Sequence, residues 1–313
     1  MTDIDAEPLR CSTWTRSQHV SPIGSAGSYR GFLLIELRMP WPADIGETRL
    51  VSAIGDIASS AGLRVQAILD PKARRQRMVA YLNPSSQGFA AFERREGEYG
   101  EDIAADVKTL LGELPVADGG AGASPASEGT APAKDLLVCI HGMRDFCCGS
   151  LGAALAVALA NEQLPEGVRL WRTSHTGGHR FAPNLIVLPE GTLWAYADQA
   201  LVEKVLTRIG PLEEVVDHYR GCAGLPGPQV QALEREVLRQ VGWDLLDAHR
   251  TGEVTGDGTV RLTVQASGRP AQTWVAEVRP GRTVPVPDCG RPIEEARKSE
   301  TEWVVEGLEA VSG

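Results

Sequence analysis

Two stretches of this 313-residue chain carry the same order of elements, β-α-β-β-β-α, and that repetition limits what the chain can fold into. The apolar triplet Leu33-Leu34-Ile35 stands 103 residues before Leu136-Leu137-Val138, and Gly88 stands the same distance before Gly191. In the first stretch, a strand at 31–37 leads to a helix at 47–61. Strands at 64–69, 77–82 and 89–94 follow, then a helix at 101–114. In the second, a strand at 135–140 leads to a helix at 149–161, strands at 168–173, 184–188 and 192–196, and a helix at 198–209. Strand-sized apolar runs alternating with helix-period segments point to an α/β protein built by internal duplication.

Between the copies, 115–134 is rich in Gly, Ala, Ser and Pro and has almost no large apolar residue, so it reads as a flexible linker. After the second copy, 229–241 places Val230, Leu233, Val237, Leu238 and Val241 on one helical face. Alternating strands at 259–266 and 273–278 flank Ser267-Gly268-Arg269-Pro270, a hairpin signal. The expected organisation is therefore a first unit at 1–114, the linker 115–134, a second unit at 135–221, and a small appended α+β element at 222–313 with nothing catalytic visible in it.

Charge and composition exclude several classes. A net charge of −10 and a pI of about 5.2 argue against nucleic acid or an anionic membrane as the main partner, since both require a basic surface. No apolar run approaches the roughly eighteen residues of a membrane span. Residues 1–8 carry three acids and no base, unlike a secretory or transit leader, so a cytoplasmic protein is expected. In that setting the six cysteines read as thiols or ligands, not as a disulfide framework. No Gly-x-Gly-x-x-Gly opens a helix, so a bound flavin or nicotinamide is not expected.

The second copy carries the chemistry. Cys139 ends its first strand, and Cys148 follows after eight intervening residues, where a helix begins at Gly149. Further on comes His175-Thr176-Gly177-Gly178-His179. The paired glycines make this a loop clamp, not one face of a helix. Two thiols and two imidazoles form a four-ligand set suited to Zn²⁺, copper or a mixed-ligand iron–sulfur cluster. A helix N-terminus at Cys148 favours thiolate there. In the first copy Glu36 takes the place of Cys139, and the stretch facing the histidines (Lys72, Arg74, Arg75, Arg77) holds neither Cys nor His and reads as a solvated loop. That copy has no ligands of its own.

Cys139-Ile-His-Gly-Met-Arg-Asp-Phe-Cys-Cys148-Gly149, His175-Thr-Gly-Gly-His179-Arg-Phe-Ala-Pro-Asn, Leu188-Pro-Glu-Gly191 and Tyr219-Arg220-Gly221 resemble the sucrase/ferredoxin-like family, closely over 136–220 and more loosely before it. The resemblance implies thioredoxin-like units and a [2Fe–2S] cluster on Cys139, Cys148, His175 and His179. Thioredoxin-like ferredoxins use four cysteines, and this chain departs from them by its histidine pair. The implied role is one-electron transfer or redox sensing with a protein partner as donor or acceptor, a carrier more than a stand-alone catalyst. Neutral imidazoles in place of two thiolates should raise the potential and make it pH-dependent.

Other readings stay open. A structural Zn²⁺ site in a binding module suits the ligand types. A thiol oxidoreductase using Cys139, Cys147 or Cys148 lacks the Cys-x-x-Cys that such a site needs. Cys147 is the alternative to Cys148 as ligand. His141 reads as a hydrogen-bonding loop residue, Arg144-Asp145 as a loop ion pair or the support of a ligand, and Arg180 as a surface residue or a contact for charge. Cys11, Cys222 and Cys289 have no partners at ligand spacing and read as ordinary thiols.

Overall fold

The computed structural model describes residues 8–70, 76–112, 134–256 and 258–311. Helix α1 (Cys11–Ser17) precedes strand β1 (Gly31–Glu36), every residue of which is buried. A continuous apolar run such as Phe32-Leu33-Leu34-Ile35 has no polar face to give to water, so it must lie inside a sheet covered on both sides. Helix α2 (Arg49–Ser60) follows, its first turn capped by Thr48, whose hydroxyl accepts from Val51 N at 3.4 Å. Strands β2 (Leu63–Leu69), β3 (Arg77–Leu82) and β4 (Glu93–Glu98) lead to α3 (Ile103–Leu111), capped by Asp102. The second copy runs β5 (Lys134–Cys139), α4 (Ala153–Ala160), β6 (Val168–Thr173), β7 (Leu185–Leu188), β8 (Thr192–Trp194) and α5 (Gln199–Thr207), the last capped by Asp198. Strand β9 (Tyr219–Cys222), not foreseen from the sequence, adds an edge to this sheet.

The nine strands form one mixed sheet in the order β4-β3-β1-β2-β6-β5-β7-β8-β9. β1 pairs parallel with β2 and antiparallel with β3, which pairs antiparallel with β4. β5 repeats the scheme with β6, β7 and β8. The two halves join where β2 meets β6 antiparallel, Ile68 opposite Thr173 and Leu69 opposite Arg172. One core runs through both halves. The fold is thus mixed α/β with one large sheet, and β1 and β5 end on Glu36 and Cys139 respectively.

Buried charge ties the halves together. Asp135 on β5 is fully buried and accepts from Arg169 Nε at 2.7 Å, Trp171 Nε1 at 2.9 Å and the hydroxyl of Tyr81 on β3. Burial alone would raise its pKa. The hydrogen bonds and charge of Arg169, with Tyr81 and Arg94, outweigh it, and the carboxyl is held below its ordinary value.

The last strand of the first copy lies at Glu93–Glu98, not at 89–94. Phe89 and Phe92 are instead plugged into the core against each other, and Phe89 forms an isolated bridge with Arg250. Of the expected linker, 115–133 lies outside the described residues, as do Lys72, Arg74 and Arg75. Arg77 is on β3, paired with Glu96 at 3.2 Å.

The C-terminal part has more structure than its sequence suggested. Helix α6 (Gly227–Val241) packs on β9 and on a second, antiparallel sheet of β10 (His249–Val254), β11 (Thr259–Gln265), β12 (Gln272–Pro285) and β13 (Ser299–Val311). Its buried Val230, Leu233, Val237 and Leu238 each contribute about 1.5–3 kcal/mol of hydrophobic burial. Glu234 of α6 pairs with Arg250, both fully buried, and accepts from Tyr219 at 3.0 Å. Among the described residues no helix is long and apolar enough to cross a membrane.

Candidate metal centre

Cys139 ends β5 and lies at the C-terminal edge of the parallel β5–β6 pair, beside the start of the helix it precedes. That helix begins as a π-helical turn, Cys148–Gly152, before α4. The close approach requires glycine: a Cβ on Gly152 would lie 1.9 Å from the carbonyl oxygen of Cys139. Asp145 caps the turn, its Oδ1 accepting from Cys147 N at 2.8 Å and Cys148 N at 3.2 Å. Strand end and helix start thereby bring the two expected thiols together.

The histidine loop is held from beneath by Arg220. This fully buried guanidinium donates to Gly177 O at 3.1 Å, Asn184 Oδ1 at 2.9 Å, and to the hydroxyl and carbonyl of Ser25. Asn184 in turn donates to Gly178 O at 3.0 Å. Gly178 has φ +61°, and a Cβ there would meet Arg220 Nη2 at 2.4 Å. His175 N donates to His141 Nδ1 at 3.2 Å, and His141 Nε2 meets Pro42 O at 2.8 Å. His141 therefore fastens the loop to the first half of the chain, and burial lowers its pKa and keeps it neutral.

Cys139, Cys148 and His175 form one group whose ligand atoms all lie within 4.8 Å of one another, the two thiols buried. His175 Nδ1 is buried without a hydrogen-bond partner. Cys148, with His175, holds the Cys139 pKa well down against the effect of burial, and the nearness of Cys139 together with burial pushes that of Cys148 up. His179 is not in this group. Its ring sits edge-on to His175 at 6.1 Å, and its Nδ1 lies 3.1 Å from Asp145 Oδ2. Burial lowers its pKa, with Asp145 opposing. The neutral ring donates Nδ1–H to the carboxylate, which leaves the Nε2 lone pair available.

A buried soft thiol pair, an orphaned imidazole nitrogen and a second imidazole oriented by a carboxylate fit a metal or iron–sulfur centre by the chemistry of their donors. Asp145 supports His179 rather than pairing with Arg144 in the loop. Cys147 points elsewhere: its Sγ lies 3.3 Å from Cys289 Sγ, and these two share a second group with Cys11 and Asp145.

Sequence reasoning missed the positions of Cys11 and Cys289. Nothing local marks them, because they are 278 residues apart in the chain. Asp145 was open to detection as a capping acid at a helix start. Arg180 is buried and paired with Glu300 at 2.7 Å, not a surface residue. Cys222 is a buried core thiol.

A mixed α/β chain with a buried Cys/His group at a strand end defines a candidate metalloprotein. Residues 22–221 match the sucrase/ferredoxin-like family, and the chain belongs to it. No curated protein and no solved structure matches it.

Proposed function

We propose that the protein is a one-electron transfer or redox-sensing protein whose Cys139, Cys148, His175 and His179 hold a [2Fe–2S] cluster. The observation that carries this reading is the Cys139–Cys148–His175 group with its unpartnered imidazole nitrogen, beside a His179 turned by Asp145. Bound there, the cluster would supply a one-electron couple, with a potential raised toward the Rieske range of roughly −150 to +300 mV because two of its ligands are neutral.

The residues divide the work. Cys139 and Cys148 lie in the interior, where water is excluded, while His175 and His179 line an open cavity of 370 Å³ with Arg144, Arg180, Arg297 and Lys298. A protein partner would meet the histidine side, where Arg144, Arg297 and Lys298 stand beside Asp288 and Glu300. Asp145 holds the proton of His179 at Nδ1. Loss of an imidazole proton favours the oxidised state, so the potential should fall as pH rises through the pH 6–9 range.

The repeated strand pairing supports two tandem thioredoxin-like units, the first (1–114) without cluster ligands, the second (135–221) with them, followed by the appended region from 222. The first unit would then serve as a scaffold, fastening the histidine loop through the His141–Pro42 contact. The same donor set also suits Zn²⁺, which would make the chain a zinc-stabilised binding module.

Anaerobic purification followed by UV–visible and EPR spectroscopy separates these readings. Visible charge-transfer bands that bleach with dithionite, and a rhombic Rieske-like EPR signal, are expected. A colourless protein carrying zinc at these four residues would overturn the electron-transfer reading.

A further inference from the structure

Three thiols and a carboxylate converge a short way from the centre just described. Cys11 comes from the start of α1, Asp145 and Cys147 from the loop before the π-helical turn, and Cys289 from the segment after β12. Cys147 Sγ and Cys289 Sγ are 3.3 Å apart, Cys11 Sγ lies 3.4 Å and 3.6 Å from the two oxygens of Asp145, and Cys11 N reaches Cys289 Sγ at 3.4 Å. All four ligand atoms lie within 4.8 Å of one another. Cys11, Asp145 and Cys147 are buried, while Cys289 is half-buried and gives the one side open to solvent.

We propose that Cys11, Cys147, Cys289 and Asp145 form a second metal site, separate from the Cys139–Cys148–His175–His179 centre, and that it takes a single Zn²⁺. A tetrahedron with metal–sulfur bonds of about 2.3 Å has sulfur–sulfur edges of about 3.8 Å and slightly shorter sulfur–oxygen edges. The Cys147–Cys289 separation of 3.3 Å and the Cys11–Asp145 approach of 3.4 Å lie within about half an ångström of these edges, and no other pair of ligand atoms is more than 4.8 Å apart. Three thiols and a carboxylate are soft and anionic enough to favour Zn²⁺ over magnesium or calcium. Binding converts the three thiols to thiolates, with their protons released to solvent.

The site would act as a clasp. Gly290 N donates to Leu9 O at 2.8 Å, and further along Arg282 donates to Gln18 O and His19 O at 2.7 and 2.9 Å, so the two segments already lie together. The segment around Cys289 contributes Val286 and Asp288 to the wall of the cavity that exposes His175 and His179. A metal holding Cys289 to Cys147 would therefore fix one side of the surface a redox partner meets. It would also set Asp145 between the two centres, one oxygen-bearing group serving both the clasp and His179.

The test is metal analysis of the full chain expressed with both iron and zinc supplied, with Cys289→Ser, Cys11→Ser and Cys139→Ser variants beside it. One zinc per chain is expected, lost in Cys289→Ser and Cys11→Ser, with the iron content and visible spectrum of Cys289→Ser unchanged. Cys139→Ser should lose the colour and keep the zinc. Zinc X-ray absorption should show sulfur at about 2.3 Å as the main shell. Two zinc ions, one leaving with Cys139→Ser and the other with Cys289→Ser, would uphold the second site while removing the cluster reading. A chain whose zinc is absent, or unaffected by both Cys289→Ser and Cys11→Ser, overturns the proposal. So does peptide mapping that finds a Cys147–Cys289 disulfide in the protein as isolated. Cys289 is half-buried, so its serine variant should fold even where Cys11→Ser does not.

Discussion

Asp145 Oδ2 stands 3.1 Å from His179 Nδ1, and the other oxygen of the same carboxylate caps the helix start at Cys147 and Cys148. One side chain thus sets both the orientation of a histidine and the position of the thiol facing it. Burial raises its pKa while the His179 contact and the Cys148 N–H oppose that. It is the carboxylate–histidine arrangement by which metal-ligating imidazoles are commonly oriented.

Asp145→Asn should loosen the centre without abolishing the fold. The amide cannot accept as strongly at both places, and His179 is released from its fixed tautomer. Metal loss to a chelator is expected to accelerate about 10- to 100-fold. An unchanged rate, followed by absorbance or by metal release, would show that His179 does not depend on Asp145.

The two loop glycines should respond differently to alanine. Gly177 has φ +84° with open space around its would-be Cβ, so Gly177→Ala meets only the left-handed backbone penalty of about 1–2 kcal/mol. Gly178→Ala adds a collision with Arg220, the residue that holds the loop, and should cost at least about 2–3 kcal/mol. Urea unfolding of the two variants gives the comparison, and equal losses would mean that Arg220 yields easily.

Asp135→Asn should be among the more damaging polar substitutions, about 1.5–3 kcal/mol, because the buried carboxylate's charge-assisted bonds to the half-buried Arg169 are lost. The folded-state pKa of Asp135 is lowered, so its contribution is complete above the ordinary aspartate value of about 3.9 and is lost as pH falls through the folded value. Stability curves of the parent and the variant, measured by denaturant from pH 7 downward, should therefore draw together in acid. A constant gap would assign the loss to packing alone.

Glu234 and Arg250 form a fully buried pair, and breaking it from one side should cost about 3–5 kcal/mol in Glu234→Leu. The double variant Glu234→Leu, Arg250→Met should recover much of that loss, since an apolar pair needs no desolvation of charge. Thermal unfolding of the single and double variants checks this, and a double variant as unstable as the single would assign the cost to Tyr219 and the other partners.

Much of the fold was legible because it is written in short-range patterns. The apolar runs Phe32–Ile35 in β1 and Leu136–Ile140 at β5 admit only buried strands, and the caps Thr48, Asp102 and Asp198 announce α2, α3 and α5 within a few residues. Where aromatic residues looked like strand, as at Phe89–Phe92, they proved to be plugs in the core, because burial favours both uses of the same side chains. β10 and β13 went unseen because almost none of their residues is buried, so no alternation of burial marks them.

The candidate site divides in the same way. By itself the sequence determined the close thiol pair, the glycine-bearing histidine loop and the strand-then-helix setting of Cys139 and Cys148, all of which depend on residues a few positions apart. Only the tertiary structure decided that Cys148 turns toward Cys139 while Cys147 turns toward Cys289, that Cys11 arrives from the other end of the chain, and that β2 and β6 join the two halves into one sheet. The reason is physical: local spacing governs strand, turn and cap, whereas the meeting of groups 278 residues apart is set by how the whole core packs, and no short window of sequence contains that information.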